Sequence, residues 1–75
     1  MFDYHVVTFN HERAAESLMK DLATLKVPNV GDGPFGSKFA VAVRIPDGTS
    51  TAAHLEAVKA ISLGRGAHTV QFARY

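Results

Sequence analysis

Apolar and polar positions alternate along residues 39–45. Phe39, Val41, Val43 and Ile45 share one parity; Ala40, Ala42 and Arg44 share the other. A period of two predicts a half-buried strand with its larger side chains turned to a core. Tyr4-His5-Val6-Val7-Thr8-Phe9 is rich in β-branched and aromatic residues and predicts a first strand. In the last segment, Ala67 to Tyr75, Val70 and Phe72 alternate with Thr69, Gln71 and Ala73, which predicts a closing strand.

Two stretches follow the helical period instead. Ala15, Leu18, Leu22 and Leu25 recur at helical spacing, with Met19 beside them and Glu16 and Lys20 spaced i,i+4. A helix is expected from Asn10 to Leu25, with Asn10 as N-cap and Glu12 favourable in the first turn. A second helix is expected after Pro46-Asp47-Gly48, capped by Thr49, Ser50 or Thr51 and closed by Gly64 at C′. Leu55, Val58 and Ile61 form its expected apolar stripe.

Between the first helix and the alternating strand, Lys26-Val27-Pro28-Asn29-Val30 contains a proline and reads as an edge strand or extended loop. The order is then β-α-(β)-β-α-β. Crossover handedness places both helices on one face of an antiparallel sheet, which is the ferredoxin-like split βαβ sandwich with a weak second strand. Without that strand, three strands and two helices remain. The expected core is Phe9, Leu18, Leu22, Phe39, Val41, Val43, Leu55, Val58, Ile61, Val70 and Phe72.

Length and composition narrow the functional classes. Seventy-five residues suggest one α/β domain, residues 1–75, whose small size would make a homodimer interface a useful source of extra burial. Eight Lys+Arg stand against seven Asp+Glu, so the basic excess usual in nucleic-acid and membrane-surface binders is missing. The chain has no cysteine, which removes disulfides, thiol catalysis and cysteine-based zinc sites and favours a reducing, cytoplasmic setting. No apolar run approaches the roughly 20 residues of a membrane span, and Met1-Phe2-Asp3-Tyr4 lacks the start of a signal peptide.

Catalytic and cofactor motifs are weak. Gly31, Gly33 and Gly36 match G-x-G-x-x-G, but they lead into a strand rather than a helix and Pro34 removes an amide donor. The dinucleotide fingerprint needs a helix there, so the segment reads as a glycine-rich hairpin. His5 and His68, on strands expected to pair, are candidate neighbours. Two histidines alone still fall short of a metal site, because zinc takes three or four protein ligands. His11-Glu12 lacks the second helical histidine of H-E-x-x-H. Ser17, Ser37, Ser50 and Ser62 sit in no nucleophile elbow. The expectation is a non-enzyme with no metal and no cofactor.

The helix-free sheet face is the working surface of RNA-recognition motifs, which share this topology. The stretch 36–43 falls where their aromatic-bearing strand lies, yet its outward positions are Lys38 and Ala40. The resemblance is one of topology only. A small non-catalytic protein-binding module is therefore expected, acting as adaptor, inhibitor or regulator of a larger protein. Its contact surface would be the loop aromatic Phe35 and the sheet face of Tyr4, Lys38, Ala40, Ala42, Arg44 and Tyr75. Nucleic-acid binding on that same face is the alternative, and a dimeric sensor with a small ligand between subunits is a third.

Overall fold

The computed structural model describes residues 2–25, 27, 29–31 and 39–74. The chain runs β1 (Asp3–Phe9), α1 (Glu12–Thr24), β2 (Asn29–Gly31), β3 (Ala40–Arg44), α2 (Thr51–Leu63) and β4 (Ala67–Arg74). It is an α+β arrangement of two helices and an antiparallel sheet.

Three strands carry the sheet. β1 lies in the middle, antiparallel to β3 on one side and β4 on the other. Tyr4 stands opposite Arg44 and Ala73; Val7 stands opposite Val41 and Val70. Backbone bonds from Phe9 N to Phe39 O and from Ile45 N to Asp3 O, both 2.8 Å, extend the β1–β3 ladder beyond its ends. β2 adds three residues to the outer edge of β3, giving the order β2-β3-β1-β4. A ferredoxin-like sandwich has a full second strand, so the expected topology is met only in part. Pro28 precedes the pairing and cannot donate to a ladder, in keeping with so short an edge.

Strand parity decides which side chains meet the helices. His5, Val7 and Phe9 of β1 and Val41 and Val43 of β3 face α1 and α2, as the alternation predicts. Ala15, Leu18 and Leu22 of α1 and Val58 of α2 complete one buried cluster, with Val70 of β4 packed partly against it. At about 25 cal/mol per Å² of apolar surface, such burial is the main force holding a domain this small.

Several expectations need correction. α1 begins at Glu12, so the N-cap position falls on His11, which makes no side-chain capping bond. Asn10 lies one residue too early for its side chain to reach the first-turn amides. Ser50 does cap α2, its hydroxyl accepting from Ala53 N at 3.3 Å. Gly64 is the C-cap of α2 with ordinary helical φ of −65°. The left-handed residue is Gly66, φ 80°, in the turn that leads into β4.

The core is also smaller than expected. Phe39 is 43% exposed, Phe72 48% and Ile61 37%, and Leu55 is half-buried. α2 buries His54, Val58 and Ser62, an i, i+4, i+8 row that includes two polar residues. Of the expected stripe of Leu55, Val58 and Ile61 only Val58 falls on this row, because apolar residues are spread around the helix from Ala52 to Leu63. No described helix is long and apolar enough to cross a membrane.

Candidate functional site

The most unusual side-chain pairing lies at the centre of the sheet–helix layer. His5 has the parity of Val7 and Phe9 and therefore points at the helices; His54 sits one turn before Val58 on the buried row of α2. They meet edge to edge with Nδ1 atoms 2.7 Å apart, the ring centroids 4.9 Å apart and the ring planes within 16° of each other. His5 is 1% exposed and His54 8%. One Nδ1 must donate and the other accept. The Arg44 backbone carbonyl accepts from the His54 ring.

Burial disfavours the charged form of both rings. The His5 pKa is lowered by desolvation and then by the charge of His54; the His54 pKa is lowered by desolvation, partly opposed by the Arg44 carbonyl. His68 is not the neighbour of His5: register places Phe72 opposite His5, and His68 is exposed near the far end of β4. Phe72 meets the His5 ring edge-on at 6.1 Å between centroids. Among the described residues no group of three or more potential metal ligands converges.

The outer surfaces are built differently. β4 pairs with β1 along one side, and among the described residues no strand lies on its other edge. His68, Thr69, Gln71, Phe72 and Arg74 along it are exposed. Between β4 and α2 runs a groove of about 180 Å³, lined by Lys59, Leu63, Ala67, His68, Thr69 and Val70. Leu63 above it is 63% exposed.

At the end of the sheet where β1 begins and β3 and β4 end, a wider hollow of about 440 Å³ is walled by Asp3, Asp47, Thr49 and Arg74 among others. Its guanidinium is already engaged: Arg74 donates to both Asp3 oxygens, at 2.6 and 3.3 Å, and this holds the Asp3 carboxyl below its usual range.

The helix-free face only partly resembles the platform expected from sequence. Ala40 and Ala42 lie on it but are buried, because small side chains in a strand flanked on both sides are shielded by their neighbours. They offer almost no surface of their own. Arg44 stacks its guanidinium 3.7 Å from the centroid of the exposed Phe2 ring, and Tyr4 stands beside it in register. Phe35, Lys38 and Tyr75 lie outside the described residues. Sequence reasoning missed the His5–His54 pair, although the shared parity of His5, Val7 and Phe9 was a usable signal. It also placed Phe72 in the core.

No family model, curated protein or solved structure matches the chain.

Proposed function

We propose that this domain is a non-catalytic protein-binding module on an abbreviated ferredoxin-like sandwich, and that it takes its partner by strand addition along β4. The observation that carries the reading is the eight-residue β4 edge, unpaired on its outer side among the described residues, with Phe72 half exposed along it. An open edge presents backbone donors and acceptors that another strand can satisfy. Protein sheets commonly guard such edges with lysine, proline or a covering element. β4 holds neither lysine nor proline between Ala67 and Arg74.

The flanking surface supports the same partner chemistry. The groove between α2 and β4 suits an apolar side chain from alternate positions of an added strand, and Leu63 and Phe72 would bracket it. Aromatic anchors of this kind tend to dominate binding energy. The chemistry of the buried pair also favours a binding role, since His5 and His54 are closed off from any substrate in solution. The partner would be an extended segment of a larger protein, with the domain serving as adaptor, inhibitor or regulator in a cytoplasmic setting.

A second reading rests on a separate observation. The corner formed by Phe2, Tyr4 and Arg44 combines aromatic rings with a cation, which suits stacking on a single-stranded nucleic acid. The two readings part in one experiment: capture from source lysate, with and without nuclease, on wild type, Phe72→Asp and Arg44→Glu. Strand addition predicts that capture survives nuclease and Arg44→Glu and is lost in Phe72→Asp. Loss on nuclease treatment and in Arg44→Glu, with Phe72→Asp normal, selects nucleic acid. A stable wild-type dimer in light scattering that Phe72→Asp dissociates would make a second copy the occupant of the edge.

A further inference from the structure

We propose that His5 and His54 form an acid-sensitive latch, which holds the first turns of α2 on the sheet and lets them peel away when the pair takes up protons. The inference stands on the geometry of the pair and does not depend on which surface binds a partner.

α2 has little else to hold it. Its buried row is His54, Val58 and Ser62, and of these only Val58 belongs to the apolar cluster. The Ser62 hydroxyl is buried without a hydrogen-bond partner among the described residues. α1, by contrast, buries Ala15, Leu18 and Leu22. The far end of α2 is tied to α1 by the Arg65–Asp21 ion pair, whereas its near end depends on His54.

Protons act on this contact in two stages. A first proton keeps the Nδ1–Nδ1 hydrogen bond but puts a cation where both rings are almost fully buried. A second proton sets two N–H groups against each other 2.7 Å apart and ends the bond. Burying an unpaired charge is costly, so the protonated pair is driven toward water.

Among the described residues the surroundings give the proton no free counter-charge. On β1, Asp3 has the same parity as His5 but its carboxylate is engaged by Arg74 of β4. β4 otherwise offers Phe72 to the pair. On β3, Arg44 has the opposite parity and contributes its backbone carbonyl, while its guanidinium stacks on Phe2. On α2, Glu56 is exposed and Lys59 lies off the buried row. The buried row of α1 is apolar, and its Asp21 is paired with Arg65.

The test is hydrogen exchange of individual amides in the full chain between pH 7.5 and 5, corrected for the intrinsic pH dependence of exchange. Opening coupled to one proton accelerates tenfold per pH unit, and to two protons a hundredfold. Amides 54–58 should accelerate by ten- to a hundredfold per unit below about pH 6.5, the ordinary histidine value, while those of α1 and β1 stay protected. The ring shifts of His5 and His54, followed by NMR in the wild-type protein, should move only toward the acid end of that range, because the closed pair stays neutral while opening accelerates. The variant His5→Phe/His54→Leu should abolish the acceleration. Unchanged protection of 54–58 down to pH 5, simultaneous loss in α1 and β1, or ring titration at or above the ordinary histidine value would each overturn the latch. All three readings need only wild-type protein, so a poorly folded variant does not protect the idea.

Discussion

Arg65 reaches back across the chain to Asp21, donating to its carboxylate and, through Nη1, to the Ser17 hydroxyl at 3.0 Å. The contact clips the end of α2 to the outer side of α1. Both partners are partly exposed, with side-chain accessibilities of 30% and 48%. Water and salt therefore screen the pair, and such surface bridges contribute at most about 1 kcal/mol. Asp21→Asn should lower stability by about 0–1 kcal/mol in urea titrations, and the difference should shrink in 1 M salt.

Stability should depend on pH through the buried histidines. Their folded pKa values are lowered, so between the ordinary histidine value and the folded values the unfolded chain binds protons that the native chain refuses. Stability is then fully present above about pH 6.5 and is lost as pH falls toward the folded values. One refused proton gives a slope of about 1.4 kcal/mol per pH unit, and two give about twice that. Denaturant midpoints measured from pH 7.5 to 5 should fall along this slope. In His5→Phe/His54→Leu the fall should be largely removed.

Ser62 is an opportunity for stabilisation. Its hydroxyl is fully buried on α2 with no partner among the described residues. An unsatisfied buried polar group costs about 1–3 kcal/mol. Ser62→Ala should therefore raise the thermal midpoint. A fall in that midpoint would mean that the hydroxyl is satisfied in solution.

Two phenylalanines on the same side of the sheet should differ in weight. Phe9 is 2% exposed in the core cluster, whereas Phe39, at the start of β3, is half exposed. Phe9→Ala should cost about 3–5 kcal/mol, the usual range for a buried phenylalanine. Phe39→Ala should cost about 1 kcal/mol, since only part of its area leaves water on folding. Equal losses in chemical denaturation would contradict the burial described for β3.

The strands were the most legible part of the fold. The alternation of Val41 and Val43 with Ala40 and Ala42, and of Val70 and Phe72 with Thr69 and Gln71, set which side faces the helices, and the register agrees. What parity could not show was how far the helices reach. α1 and α2 cover β1 and β3 better than β4, so Phe72 has core parity yet stands at an open edge. α2 was misread because its apolar residues are spread around the helix, so the expected stripe of Leu55, Val58 and Ile61 was one of several, and the two polar residues on its buried side reverse the usual rule. The histidine pair joins positions 49 residues apart, a juxtaposition that only the packing of α2 against β1 creates. The platform reading of the sheet face overlooked that alanines between two flanking strands have little area left to offer.

The central claim, that β4 receives a partner strand, is tested most directly by amide hydrogen exchange on the complex with whatever protein is captured. Strand addition satisfies the outward backbone groups of one edge, so residues 68–73 should gain protection at alternate amides, with little change in α1. Phe72→Asp should weaken the complex at least tenfold, about 1.4 kcal/mol. Protection centred on Tyr4 and Arg44, with β4 exchanging as in the free protein, would contradict the account and move the interface to the helix-free face of the sheet.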